Sequence, residues 1–251
     1  MTVAPFLSLV VPAYNEAIRF QKTLPVLREF LKLQNYSWEL LIVDDGSIDG
    51  TADVPGKYFD DSECRVIRLK SNRGKGYAVR TGVASAQGNR VLISDADLST
   101  PLKEIEKLFD ALEQGADIAI GSRSLAESNV VVRQKWYRQG MGRFFNTLVQ
   151  FLTVKGLIDT QCGFKCFERE KFQSIFSKMT IERFSFDVEL LFIAQKYGMT
   201  IREIPVEWHH VEASRVRIWI DPAYMFLGLL KIRLNDWRGL YNEIPDSITS
   251  Q

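Results

Sequence analysis

Four times in the first hundred residues, a short apolar run stops abruptly at a polar cluster. The runs are FLSLVVP (6–12), WELLIVD (38–44), CRVIRL (64–69) and NRVLISD (89–95). The first two, short, continuous and rich in β-branched residues, suit strands buried on both faces, and the other two read as a third and a fourth strand. Between the first two, Phe20, Leu24, Leu27 and Leu31 recur at helical spacing within 17–33. Residues 77–86 read as a short helix. In 102–113 the apolar positions Leu102, Ile105, Leu108 and Leu112 follow Pro101, which suits a first helical turn. DIAIGS (117–122) supplies a fifth strand. Strands alternating with helices predict a Rossmann-like α/β fold built on a mostly parallel, doubly wound sheet.

Sheets of this kind bind ligands beyond the carboxyl ends of their strands. The polar clusters PAYNE (12–16), DDGS (44–47), SNRGKG (71–76) and DAD (95–97) fall at those ends, so they are expected to line one cleft. Asp95 and Asp97 flank a single alanine, and on a strand they would share a face. Two such anions raise each other's pKa unless a cation intervenes. Their hard oxygens suit Mg²⁺ or Mn²⁺, especially where phosphate oxygens complete the shell; a helix cap in a solvated turn is the plainer alternative. Asp44 and Asp45 end the second strand, where a carboxylate can accept from a nucleobase imide or ribose hydroxyls, although Asp44 equally suits a structural turn acceptor. Arg73 and Lys75 can answer phosphate, and the glycines beside them permit close backbone approach. Gly74 to Val79 does not complete a dinucleotide fingerprint, and no G-x-x-x-x-G-K-[ST] occurs. Dehydrogenase and P-loop chemistry are therefore disfavoured.

Composition narrows the field further. A net charge of +1 gives no reason to expect a nucleic-acid partner. Cys64, Cys162 and Cys166 are too few for a disulfide framework and are expected to be buried thiols in a reducing compartment. The N-terminus lacks the features of a signal peptide. No stretch reaches the ~20 apolar residues that span a bilayer. The expectation is a cytoplasmic chain, at most peripheral on the cytoplasmic membrane face.

The pattern changes after residue 122. Residues 123–138 are polar and hold Arg123, Arg133, Lys135 and Arg138. Residues 140–154 look helical, 159–167 read as a loop into a short strand, 186–197 as a helix and 200–208 as a strand. The tail 222–240 mixes Tyr224, Phe226, Leu227, Leu230 and Trp237 with Lys231, Arg233 and Arg238. It suits a core helix or one that docks on a membrane surface. Without repeats or a flexible linker, the chain reads as a single domain. Its nucleotide-binding half covers about 1–122, its acceptor-side half about 123–220, and a C-terminal elaboration about 221–251.

The succession VVPAYNE, LLIVDDGSIDGT, SNRGKGYAVRTG and ISDAD resembles the family 2 glycosyltransferases of the A type (GT-A). GSR, DTQCGFKCF, FDVELLFIA and IPVEW resemble its dolichyl-phosphate glucosyltransferase branch, close to the dolichyl-phosphate mannose synthases. The similarity runs over roughly residues 6–235. It implies a GT-A fold and inverting transfer of a sugar, glucose foremost, from a UDP-sugar to a polyprenyl or dolichyl phosphate. By the same resemblance, Pro12, Tyr14, Glu16 and Asp45 would hold the nucleoside, with Lys75 near the base. Asp95 would contact ribose or metal, and Asp97 would ligate Mg²⁺ or Mn²⁺ on the diphosphate. Arg123 and Arg138 match residues that bind the acceptor phosphate, and Asp159 matches the acidic residue near the reaction centre. Arg215 stands where the family has a basic residue closing over the diphosphate. The family often has Gly-Ser-Lys where this chain has Ala213-Ser214-Arg215, which keeps the charge and changes its reach. Spanning segments frequent among relatives do not appear in this sequence.

A phosphate acceptor, with a second pKa of ~6, hardly needs deprotonation. Asp159 would then position groups or tune charge. If the acceptor were a sugar hydroxyl, Asp159 would have to be a general base. A nucleotide-sugar pyrophosphorylase and a non-catalytic sugar-nucleotide-binding module are the other readings. A glycosidase fits less well, because its carboxylates flank the scissile bond. His209 and His210 follow a strand without a neighbouring carboxylate motif and are expected to be structural.

Overall fold

The structure, a computed structural model, describes residues 4–131, 136–209 and 221–243. A seven-stranded sheet carries the fold, in the order β3-β2-β1-β4-β7-β5-β8. Its strands are β1 (Leu7–Ala13), β2 (Trp38–Asp44), β3 (Cys64–Arg68), β4 (Arg90–Ile93), β5 (Ile118–Ser122), β7 (Lys165–Glu168) and β8 (Ile201–Pro205). All run parallel to their neighbours except β7, which is antiparallel to both β4 and β5. A separate two-stranded ladder pairs β6 (Asn129–Val130) with β9 (Glu207–Trp208).

Alternation along the central strands explains the two helical layers. Leu7, Leu9, Val11, Leu40 and Ile42 face one core, and Val10, Leu41, Val91 and Ile93 face the other. The first core is covered by α1 (Ala17–Lys32) and α3 (Ile105–Glu113). The second is covered by α2 (Lys75–Ser85), α4 (Trp136–Leu152), α5 (Arg169–Lys178), α6 (Phe186–Lys196) and α7 (Asp221–Trp237). Both cores draw on one sheet across its width.

The reversed strand matters most for the site. An antiparallel strand begins where its parallel neighbours end. Lys165, the first residue of β7, pairs with Ile93 at the end of β4 and with Ile120 near the end of β5. The loop leading into β7 therefore lies over the same sheet edge as the loops after β1, β2, β4 and β5.

Helix α5 was not anticipated from the sequence. Its apolar residues are Phe172, Ile175 and Phe176 on an otherwise polar stretch, too few for a clear period. The run expected as one strand over 200–208 divides into β8 and β9, which belong to different sheets.

Helix α7 is fastened to the core through a buried carboxylate. Glu189 of α6 is fully buried and accepts from the Thr180 amide at 2.9 Å, the Ile181 amide at 2.8 Å and the Tyr241 hydroxyl at 2.6 Å. Asn235 of α7 donates to the Thr180 and Tyr241 hydroxyls at 2.8 and 3.0 Å. A carboxylate hidden from water needs such donors, and here they join α6, the loop before it and the chain after α7. Among the described residues no helix is long and apolar enough to cross a membrane.

Candidate active site

The first three loops are knitted together by side chains that bind neighbouring backbone. Asn15, in the left-handed region at φ 53°, donates its amide to Ser47 Oγ at 2.8 Å and accepts from the Ile48 amide at 3.1 Å. The Glu16 and Ala17 amides, at the start of α1, donate to Thr51 Oγ1 at 2.7 Å and Asp49 Oδ2 at 3.1 Å. Helix α1 is thus capped by the loop after β2 instead of by its own preceding residue. Asp44 accepts from the Ser47 amide at 3.1 Å and serves the turn.

Asp45 performs the same service for the third loop. Its oxygens accept from the Arg73 amide at 2.8 Å and the Gly74 amide at 2.7 Å. It is 3% exposed. Burial pushes its carboxyl above the ordinary value, against the pull of the two amides. Gly74 adopts φ 110° and has no room for a side chain: a Cβ there would stand 2.5 Å from the Glu182 carbonyl oxygen. Pro12 is buried in β1 opposite Val43, Glu16 is buried beside Arg19 at 2.6 Å, and Tyr14 is exposed at the rim.

The DAD residues do not share a strand. β4 ends at Ile93, and the chain turns tightly, with the Leu98 amide donating to the Asp95 carbonyl at 3.1 Å and Leu98 at φ 50°. The expectation of a shared strand face is therefore corrected, and the two carboxylates have different partners. Asp95 forms an ion pair with Lys75 at 2.5 Å. Burial opposes its charge, but Lys75, then Lys165 and Arg123, outweigh burial and hold the carboxyl below its ordinary value. Asp97 Oδ1 accepts from the Ser99 amide at 2.9 Å, and among the described residues Asp97 has no ion pair.

Across the cleft, Arg123 and Asp159 form a two-pronged pair. Arg123 donates Nε to Oδ2 and Nη2 to Oδ1, each at 2.7 Å, and its amide reaches Oδ2 at 2.9 Å. Its guanidinium lies 5.6 Å from the Trp208 ring centre. Asp159 is buried, which disfavours its charge; Arg123 beside it prevails and keeps the carboxyl low. The Asp159 and Ile158 amides in turn donate to Glu203 of β8 at 2.7 and 2.6 Å.

Residues 8–176 match the family model described as Glycosyl transferase family 2. The chain belongs to this family. The dolichyl-phosphate beta-glucosyltransferase of Dictyostelium discoideum is 37% identical over 249 residues, covering 94% of this chain and 76% of that protein. Those of Homo sapiens and Mus musculus are 39% and 41% identical, each covering 94% of this chain and 77% of theirs. Among solved structures, glucosyl-3-phosphoglycerate synthase from Mycobacterium tuberculosis in complex with uridine diphosphate superimposes with a TM-score of 0.66. It is 21% identical and covers 97% of this chain and 82% of that one. The same enzyme with Mn²⁺, uridine diphosphate and glucosyl-3-phosphoglycerate gives 0.65 at 20% identity. The fold is that of the GT-A glycosyltransferases.

In this family 2 chain, Pro12, Tyr14, Glu16, Asp45, Lys75, Asp95, Asp97, Arg123 and Asp159 gather at one sheet edge. Arg215 and His210 lie outside the described residues, as do Arg133 and Lys135. The backbone of Arg138 is in α4, but its side chain is also outside the description. His209 is tied down locally: its amide donates to the Ser99 carbonyl at 2.8 Å and Nε2 lies 2.6 Å from Glu207. All three cysteines are free and buried, and burial pushes the Cys64 and Cys166 thiols up to about 12.

Sequence reasoning missed Gly163, Lys165, Asp187 and Glu203. Lys165 is fully buried, and its ammonium binds the Cys162 carbonyl and, at 2.5 Å, Asp187. A lysine between Phe164 and Cys166, in a run entering the core, was the available signal of a buried charge. Its acidic partner, 22 residues on, was not legible from spacing.

Proposed function

We propose that this chain is an inverting glucosyltransferase that moves glucose from UDP-glucose to the phosphate of dolichol or a related polyprenol. The relatives named above support the activity, and one observation carries the mechanism: the carboxylates at this sheet edge are answered by cations or buried among loop amides, except Asp97, which stays partly exposed. Lys75 answers Asp95 and Arg123 answers Asp159; Asp44 and Asp45 have no ion pair among the described residues but are buried among loop amides, which leaves Asp97 as the partly exposed carboxylate without one. That donor suits Mg²⁺ or Mn²⁺: hard oxygen, partly exposed, next to a loop that can receive a diphosphate. No group of three protein ligands gathers among the described residues, so diphosphate oxygens and water would complete the shell. Asp97, with Asp95 beside it, would hold the cation, which would offset charge growing on the leaving diphosphate.

The remaining roles follow from position. Pro12, Tyr14, Glu16 and Asp45 bound the nucleoside side. Asp45 acts chiefly by fixing the Arg73–Gly74 backbone, since that is where both its oxygens are engaged. Lys75 and Arg215 add positive charge at the diphosphate. Arg123 keeps three N–H groups outside its pair with Asp159, enough to grip an acceptor phosphate, and Arg138 joins it. A phosphate oxygen then attacks the anomeric carbon opposite UDP; the new C–O bond forms as the old one breaks, and UDP departs with the electron pair. The nucleophile is an anion, so no proton need be removed. Asp159, ionised and doubly bound to Arg123, fits a positioning group better than a base. This disfavours a sugar hydroxyl as acceptor.

We read the chain as one GT-A domain with its donor half before residue 123 and its acceptor half after it. The tail helix is the contact with the lipid's membrane. Tyr224, Leu227, Leu230, Leu234 and Trp237 of α7 are exposed, and Lys231 and Arg238 accompany them. Three free thiols favour the cytoplasmic face.

A donor panel tests the proposal. UDP-sugars are incubated with a short polyprenyl phosphate, with and without Mn²⁺ or Mg²⁺, and products are read by mass spectrometry. A glucosyl phosphoryl lipid lost on chelation is expected. Transfer only to sugar hydroxyls, or a sugar nucleotide formed from UTP and glucose 1-phosphate, would replace this reading.

A further inference from the structure

Beneath the cleft lies a charged pair that the displacement does not use. Lys165 is fully buried and Asp187, in the first turn of α6, is 4% exposed. Removing two charges from water is costly, and an apolar pair of similar volume often serves stability as well or better. A pair retained at this point therefore calls for a reason other than stability.

Its position supplies one. Lys165 stands in the sheet between Ile93 and Ile120, two residues before Asp95 on one side and three before Arg123 on the other. Its ammonium binds the Cys162 carbonyl and Asp187. Holding that carbonyl sets the next residue, Gly163, flat against Asp95: a Cβ on Gly163 would fall 2.5 Å from Asp95 Cγ. The other end of the same loop is fixed by Glu203, which accepts from the Ile158 and Asp159 amides. One loop thus touches Asp95 on the donor side and carries Asp159 on the acceptor side. Lys165 grips it from below.

The geometry points to Lys165 and Asp187 as a positioning pair that holds the Asp159–Phe164 loop in register, keeping the donor-side and acceptor-side charges correctly spaced for glucosyl transfer. Neither residue touches substrate; both act through Cys162, Gly163 and Asp95. Lys165 also favours the ionised form of Asp159, in the same sense as Arg123. This inference rests on the function proposed above.

The double variant Lys165→Met/Asp187→Leu tests it, because it removes both charges and leaves no buried ion unpaired. Melting temperature, UDP affinity and turnover per UDP-binding site are measured, with kcat and KM separated for UDP-glucose and the lipid phosphate. The expected result is a retained melting temperature, a kcat about 10- to 100-fold lower, as for other supporting groups, and a smaller change in UDP affinity and in KM for UDP-glucose. Asp187→Asn, which keeps shape and an oxygen toward Lys165, is expected to lower kcat in the same direction by a smaller factor. Unsubstituted kcat in a folded double variant overturns the inference, and so does loss of fold in both variants, which would assign the pair to global stability. Failure of the unsubstituted protein to glucosylate the lipid phosphate would instead sink the function on which the inference rests.

Discussion

Three carboxylates of the cleft show how environment divides labour among identical groups. Asp45 is spent on two loop amides, Asp95 on Lys75, and Asp97 on a single amide with its charge otherwise unmatched. Asp97→Asn is therefore expected to lower glucosyl transfer by more than the ~100-fold typical of a supporting group. Its melting temperature should stay near that of the unsubstituted protein, and assays across Mn²⁺ concentrations with parallel thermal melts check both halves. Asp159 behaves differently. Its pKa is held down in the folded state, so its pairing with Arg123 stabilises the protein above the unfolded value of ~3.9 and is lost as pH falls through the folded value. Thermal melts from pH 7 to 2 should show an acid-side loss of stability that is smaller in Asp159→Asn. The pH–rate profile between 6 and 8 should carry no limb that this substitution removes. Gly163→Ala places a methyl on the Asp95 carboxylate and should cost about 1–3 kcal/mol in urea unfolding, with a larger loss of activity.

At the scale of elements, the site is held by contacts between loops far apart in the chain. Helix α1 begins without a cap of its own, and Asp49, 32 residues away, binds its first amide while also engaging Thr51. Asp49→Ala should cost about 1 kcal/mol, the usual loss for a cap. It should also raise KM for UDP-glucose, because the loop it braces adjoins Asp45; denaturant unfolding and steady-state kinetics separate the two effects. Strand β7 contributes through direction. Running against its neighbours, it delivers Asp159 and Gly163 to the edge where β4 delivers Asp95 and β5 delivers Arg123. A parallel strand there would have put that loop at the opposite edge. Glu189 does for α7 what Asp49 does for α1, gathering four donors from Thr180, Ile181 and Tyr241 onto one buried carboxylate.

For the whole molecule, the docked α7 leaves an apolar stripe outside: Leu227 is 56% exposed and Trp237 77%. Leu227→Glu/Trp237→Glu should weaken partitioning onto anionic lipid vesicles, read by sedimentation, by at least about 30-fold, each side chain losing ~1–2 kcal/mol of apolar burial, while leaving UDP affinity unchanged. Equal sedimentation of both proteins would remove α7 from the membrane contact. The amino-acid sequence by itself determined the alternation of strands and helices, the polar loops at the strand ends and the residues those loops carry. Such features follow from periodicity and turn chemistry within about ten residues, which local physics controls. Helix α5 escaped because three apolar side chains among ten residues leave no firm period. Only the tertiary structure decided that β7 runs backwards, that Asp95 and Asp97 stand in a turn, that Arg123 clasps Asp159, and that Lys165 meets Asp187. An apolar run reads alike in either direction, and a charge takes whichever partner the folded chain brings within a few ångströms, however distant in sequence.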